Sequence, residues 1–162
     1  DKVGSLLWYS LYPRICTTAV IQLEDNRRVR VYNTHLDCLL PQARDFGLKK
    51  LGQFIEKNRK VENLPVIVMG DFNATPNSKV IKKFAAGEYS TSRFVAVQEI
   101  KKELYEKSTM SSFKGKENGL HIDYIFVSEE LEIVDVDIVK DNINGKYPSD
   151  HYPLIADIRI KK

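Results

Sequence analysis

The spacing of apolar residues along this chain changes several times, and each change predicts an element. Ile15 to Leu23 is rich in β-branched residues and reads as a strand. Glu24-Asp25-Asn26-Arg27-Arg28 is a polar turn and Val29 to Thr34 the returning strand, which together predict a hairpin. From Gln42 to Arg59 the period lengthens. Leu48, Leu51, Phe54 and Ile55 recur at helical spacing with lysines between them, and Pro41 suits a first helical turn. Asn63 and Pro65 close the link to a continuous apolar run, Pro65-Val66-Ile67-Val68-Met69, bounded by Gly70 and read as a buried strand.

Beyond Pro76 the pattern is more broken. Asn77 or Ser78 is placed to cap a short helix through Phe84, with Gly87 to Arg93 as a loop. Glu99 to Lys107 reads as a helix, and Ser108 to Gly119, polar throughout, as a surface loop. Ile122 to Val127 is a strand. Leu131 to Val139 ends in alternation, with Val134, Val136 and Ile138 set against Asp135 and Asp137, which predicts a half-exposed strand. Asn142 to Ser149 is a loop, and Leu154, Ala156, Ile158 and Ile160 mark a final strand. Asp1 to Pro13 shows no clear period and reads as an irregular entry. With no repeat and no linker, the chain reads as a single layered α+β unit over 1–162.

Composition narrows this picture only a little. The 162 residues, 43% hydrophobic and 29% charged, suffice for one domain with a core. A net charge of +3 tolerates an anionic substrate without demanding nucleic acid, and the pairs Lys101-Lys102 and Lys114-Lys116 read as solvated charges. Cys16 and Cys38 lack metal-ligand spacing and are too few for a disulfide framework. No apolar run is long enough to span a membrane. The absence of a signal-peptide pattern favours the cytoplasm, and a start without Met suggests a fragment or a processed product.

The candidate chemistry sits at the ends of apolar runs. In Gly70-Asp71-Phe72-Asn73-Ala74-Thr75-Pro76, extended geometry past Gly70 would project Asp71 and Asn73 together, with Phe72 pointing away. A carboxylate beside a carboxamide suits a hard metal ion and a phosphate oxygen, though the same residues also make an ordinary turn. Three further motifs share the placement: Asn33-Thr34-His35-Leu36-Asp37, His121-Ile122-Asp123-Tyr124 and Ser149-Asp150-His151-Tyr152-Pro153. All three histidines of the chain fall in them. Asp150-His151 joins a carboxylate to a proton carrier suited to neutral pH, and Asp123 is a candidate to fix the tautomer of His151. Singly, His35 and His151 read as strand-end or loop histidines; as a set, the motifs point to phosphate chemistry.

Together these motifs resemble the endonuclease/exonuclease/phosphatase superfamily, the DNase-I-like group that includes pancreatic DNase, apurinic/apyrimidinic endonucleases, deadenylases and inositol-polyphosphate phosphatases. Their order matches, and Tyr12-Pro13-Arg14-Ile15 resembles the family segment just before them. The resemblance implies an α+β, four-layer α/β/β/α sandwich with the site at one edge of the sheets. It also implies Mg²⁺-dependent cleavage of a phosphoester by an activated water, with Mn²⁺ as a substitute. On that reading His151 is the general base or stabilises the phosphate, and Asp123 orients it. Asp150 ligates the metal or works through its water, Asp71 positions the nucleophilic water or a second metal, and Asn73 and His35 donate to the phosphate. Arg14 is a further phosphate contact, and Asp37 is structural.

The resemblance covers only the later two-thirds of the family's domain. The family's opening strand with its Asn, and the Gln-Glu pair whose Glu binds metal, do not precede Tyr12. Val95-Ala96-Val97-Gln98-Glu99-Ile100 resembles the latter locally but falls out of order, so Glu99 is a poor substitute. Missing first strands and helix predict a weakly active or inactive chain, with self-association through an uncovered sheet. A non-catalytic binding or structural domain descended from such a hydrolase stands as the alternative. The substrate, a small-molecule phosphate ester or a nucleic acid, stays open.

Overall fold

A computed structural model describes residue 10 and residues 12–162 of the chain; most of the expected irregular entry, Asp1 to Pro13, lies outside the described residues. The first hairpin forms as its pattern requires. Strand β1 (Cys16–Gln22) pairs antiparallel with β2 (Arg28–His35), Cys16 opposite Thr34 and Gln22 opposite Arg28. The turn closes through Leu23 and Arg27 main chains, and Asn26 takes the left-handed conformation that Asn tolerates.

Helix α1 (Pro41–Val61) follows, with Pro in its first turn, and buries Ala43, Leu48, Leu51, Gly52 and Ile55 along one stripe. Its start is built by Asp37, whose Oδ1 accepts the N–H groups of Leu39 and Leu40, both at 2.8 Å. Strand β3 (Val66–Asp71) then returns parallel to β2, so β2, α1 and β3 make a crossover unit with the helix on one face of the sheet. Helix α2 (Lys79–Ala86) covers the same face and ends at Gly87, whose φ of 79° closes the C-terminus. Ser78 occupies its N-cap position but makes no side-chain cap bond.

Strands β4 (Phe94–Ala96) and β5 (Asp123–Ser128) complete a five-stranded sheet of order β1-β2-β3-β5-β4. Strands β6 (Leu131–Ile138) and β7 (Leu154–Ile160) form a separate antiparallel pair. Helices lie against one face of the larger sheet over Tyr32, Val66, Val68, Phe72, Phe84, Phe126 and their neighbours. The two-stranded sheet packs on the other face through Val29, Val127, Leu131, Val136 and Ile138. This is a mixed α+β arrangement of stacked helices and sheets, in line with the DNase-I-like fold class expected from the sequence.

Three local expectations are corrected, and one strand is added. Glu99 to Lys107 is not an α-helix but part of two short 3-10 turns, Val97–Ile100 and Lys102–Glu106, because Lys101 adopts φ −138° and ψ 75° between them. The strand Phe94–Ala96 carries too short a pattern to be read in advance. The 108–119 loop is not a surface loop throughout, since Ser108, Thr109 and Ser111 are fully buried. In β6 a register shift between Ile133 and Asp135 turns Val134 outward, so it leaves the inward phase of Val136 and Ile138. Among the described residues no helix is long and apolar enough to cross a membrane.

Candidate active site

Sheet register assembles the polar motifs. In the parallel pair β2–β3, His35 stands opposite Asp71. In the antiparallel pair β3–β5, Asp71 stands opposite Asp123. One row across three strands therefore carries His35, Asp71 and Asp123 at the same level. The row depends on Gly70: at φ 133°, a Cβ there would meet the Thr34 carbonyl oxygen at 1.9 Å, so only glycine lets β3 run this close to β2. His151 arrives from the segment before β7, where its main chain bridges to Met110. Its Nδ1 lies 2.8 Å from Asp123 Oδ2. One donor atom each from Asp71, Asp123 and His151 then lie within 4.8 Å of one another.

Asp71 and Asn73 do project together, but through a turn rather than a continued strand. Asn73 has φ 48°, its N–H donates to Asp71 Oδ1 at 2.7 Å, and its Nδ2 donates to Leu36 O at 3.0 Å and Asp71 Oδ2 at 3.2 Å. Both amide protons are engaged, so Asn73 here holds the Asp71 carboxylate in place. Phe72 points into the helix-side core, where it is fully buried. His35 Nε2 approaches Asp71 Oδ2 at 3.3 Å, and its side chain is 60% exposed.

Electrostatics sets the two key groups apart. Burial raises the Asp71 carboxyl above the usual carboxylate range and the Asp123 charge adds to this, against the Asn73 N–H and the two histidines. At His151 burial opposes the charged form, but the hydrogen bond and charge of Asp123, with the charges of Asp71 and Asp150, outweigh it and raise its basicity. His121 behaves oppositely. It is buried, its Nδ1 lies 2.9 Å from Lys107 O and its Nε2 2.9 Å from Gln98 Nε2. A carbonyl can only accept and an amide nitrogen only donate, so Nδ1 carries the proton and the ring is neutral. Desolvation lowers its pKa. Gln98 also donates to the Asp123 carbonyl at 3.0 Å.

The remaining candidates lie further out. Asp150 is outside the three-residue cluster, and Ser149 Oγ contacts its Oδ1 at 3.4 Å. Arg14 Nη2 contacts Cys38 Sγ at 3.5 Å, beside the start of α1. Asp37 is buried; burial pushes its pKa up, but the Leu40 and Leu39 N–H groups, Ser10 and Arg14 together bring it below the usual value. Glu99 accepts from Tyr105 Oη at 2.7 Å and pairs with Lys102 on an exposed turn. Thr109 and Ser111 also bond to the main chain around Asp123 and His151, and no motif marks them, because buried hydroxyls in a polar loop leave no periodic signal.

A cavity of about 280 Å³ opens beside the cluster, lined by Asn33, Met69, Asp123, Ser149, His151 and Leu154. A larger cleft of about 650 Å³ lies at the opposite end of β5, against Ser128, where Arg59 is already bonded to Asn63, Ser92 and Glu130.

A sequence model described as "Endonuclease/Exonuclease/phosphatase family" matches residues 3–151. A search of curated protein sequences gives no match. Among solved structures, a Bacteroides thetaiotaomicron mannosyl-6-phosphatase superposes with a TM-score of 0.80 at 21% identity, over 94% of this chain and 60% of its own. A functionally unknown Enterococcus faecalis protein superposes at 0.81 and 24% identity, over 97% and 60%. The human Nocturnin catalytic domain, solved with bound sulfate, follows at 0.71 and 22%, over 92% and 54%. The likeness is one of fold, and the chain spans about three-fifths or less of these neighbours' lengths.

Proposed function

The chain belongs to the endonuclease/exonuclease/phosphatase family, and from that premise we propose that it is a metal-dependent phosphoesterase domain in which His151, Asp123 and Asp71 serve an activated water. The supporting observation is the convergence of these three side chains, from separate segments, within 4.8 Å. A structural role alone would not require two carboxylates and an imidazole to share so small a volume, because their mutual burial is costly.

The donor chemistry fits a divalent cation. Asp71 would hold it from within the cluster, while Asp150, outside the cluster, would reach it through a water; an oxygen-rich set with a nearby imidazole accepts Mg²⁺ or Mn²⁺. When bound, such an ion would offset charge on a phosphate oxygen and acidify water. The chain's own residues supply the rest. His151 donates its Nδ1 proton to Asp123, which leaves Nε2 to take a proton from water. The Asp123 carboxylate holds that tautomer and stabilises the imidazolium that forms. His35, largely exposed, would have to release Asp71 Oδ2, which its Nε2 approaches at 3.3 Å, to donate that proton to a phosphate oxygen. Asn73 orients Asp71 and would have to release one amide bond to reach substrate. Arg14 is assigned only to outer phosphate contacts.

The substrate proposed is a phosphate ester. Likeness to a mannosyl-6-phosphatase supports a monoester as the first to test, with a diester beside it. Full activity is proposed for the whole protein. This chain alone is expected to be weakly active, since the family's Asn strand and Gln-Glu pair have no counterpart in order here.

The test combines calorimetric titration of Mn²⁺ with turnover of p-nitrophenyl phosphate and bis-p-nitrophenyl phosphate. The wild-type chain should bind Mn²⁺ weakly, Asp71→Asn should lose that binding, and Glu99→Gln should keep it. Any turnover should fall about a hundredfold or more in His151→Ala. No Mn²⁺ binding would overturn the metal assignment, and turnover that survives His151→Ala would overturn the proton-transfer assignment.

A further inference from the structure

Ser108, Thr109 and Ser111 place three fully buried hydroxyls in a segment whose sequence reads as solvent-exposed loop. A hydroxyl removed from water must find partners inside the protein. The partners of Thr109 are specific. Its Oγ1 accepts the N–H of Ile122 at 3.0 Å and that of Asp123 at 3.2 Å, and contacts Leu120 O at 3.5 Å. One donated proton and two accepted ones use the whole capacity of a hydroxyl.

The main chain of the same segment reaches the other way. The Thr109 carbonyl accepts Tyr152 N–H at 2.8 Å, and Met110 bridges to His151. The amides of Ser111 and Ser112 both donate to Asp150 O, at 2.6 and 2.9 Å, and Ser111 Oγ donates to Ser149 O at 3.2 Å. The segment thus lies as a seam between the start of β5 and the stretch before β7. The 2.8 Å bond between Asp123 and His151 crosses that seam, so its length depends on how the two backbones are held.

We infer that Thr109 is the positioning residue for the Asp123–His151 pair: its hydroxyl fixes the main chain at Asp123 while its carbonyl fixes that of Tyr152, beside His151. It touches neither a reacting atom nor a substrate. Valine has nearly the same shape but leaves two buried N–H groups unpaired, and relief of that cost shifts Asp123 away from His151. Serine keeps the oxygen and the bonds. Relevance to hydrolysis rests on the phosphoesterase reading; the geometry does not, so it is tested without substrate.

The experiment compares wild type, Thr109→Val and Thr109→Ser by nuclear magnetic resonance, with circular dichroism to establish folding. The hydrogen-bonded Nδ1 proton of His151 gives a far-downfield resonance. It should persist in wild type and Thr109→Ser and be lost in a folded Thr109→Val. The amides of Ile122 and Asp123 should exchange about tenfold or more faster in Thr109→Val than in the other two. A folded Thr109→Val with the resonance and exchange unchanged overturns the inference. If Thr109→Val does not fold, wild type and Thr109→Ser decide it: slow exchange of both amides in each supports the role, and exchange as fast as in a free peptide overturns it.

Discussion

The two faces of the five-stranded sheet are treated very differently. On the helix side Tyr32, Val66, Val68 and Phe126 are wholly buried. Aromatic rings interlock there, Phe84 stacked on Phe94 at 5.0 Å and Phe72 tilted against Phe126 at 5.2 Å. On the opposite face the two-stranded sheet covers β5 but not β1, where Ile21 is 47% exposed, nor all of β3, where Met69 is 36% exposed. The titratable row ends on this open face. The contrast teaches where each feature resides: tight packing in the closed aromatic face, the titratable cluster at the edge of the open one.

The sharpest way to break this comparison is a pair of truncations. Phe126→Ala should cost about 3–5 kcal/mol and Met69→Ala less than about 1 kcal/mol by urea denaturation, because only the first opens a cavity in a packed interior. Equal costs would mean the open face is as well packed as the closed one. Next in size is Asp37→Ala, at about 1–3 kcal/mol at neutral pH, since it strands the two N–H groups that start α1. The folded-state pKa of Asp37 is lowered, so its contribution is present above the unfolded carboxylate value and disappears as pH falls through the lowered one. Stability of Asp37→Ala and wild type should therefore converge in acid, and a difference independent of pH would refute the electrostatic part.

Asp71 should show the opposite sign. Its folded pKa is raised, so it favours folding least once ionised: stability is highest below the unfolded value and falls as pH rises through the raised one. In metal-free protein, Asp71→Asn should raise stability near neutral pH by up to about 1 kcal/mol, with the gain vanishing in acid. A melting temperature below wild type at neutral pH would show that the carboxylate is structurally required. The smallest stability effect is expected on the open face. Ile21→Lys should change folding by less than about 0.5 kcal/mol, yet reduce any concentration-dependent association seen by sedimentation. Association that is unaffected would place the contact elsewhere.

Much of the architecture was legible because it is written in local periods. The hairpin at Glu24 to Arg28, the helix stripe of Leu48, Leu51 and Ile55, and the apolar run into Asp71 all formed where their patterns placed them. The 3-10 turns around Lys101 and the outward Val134 were not legible, since each depends on a neighbouring strand or turn that a one-dimensional period does not contain. The fully buried Ser108 and Thr109 look polar in sequence, and only their partners in space make them interior.

By itself the sequence determined the long strands and helices, which polar motifs end them, and that those motifs belong to the endonuclease/exonuclease/phosphatase family. Side-chain periodicity and motif wording are properties of the chain alone. Tertiary structure alone decided which carboxylates and imidazoles meet. Register set His35, Asp71 and Asp123 in one row, and the 108–112 seam brought His151 to them. It also separated two histidines that look alike in sequence: His121 is neutral between Lys107 and Gln98, while His151 is made more basic by the surrounding carboxylates. A hydrogen-bond partner, unlike a hydrophobic period, is supplied from any distance along the chain, and its identity decides where the proton resides.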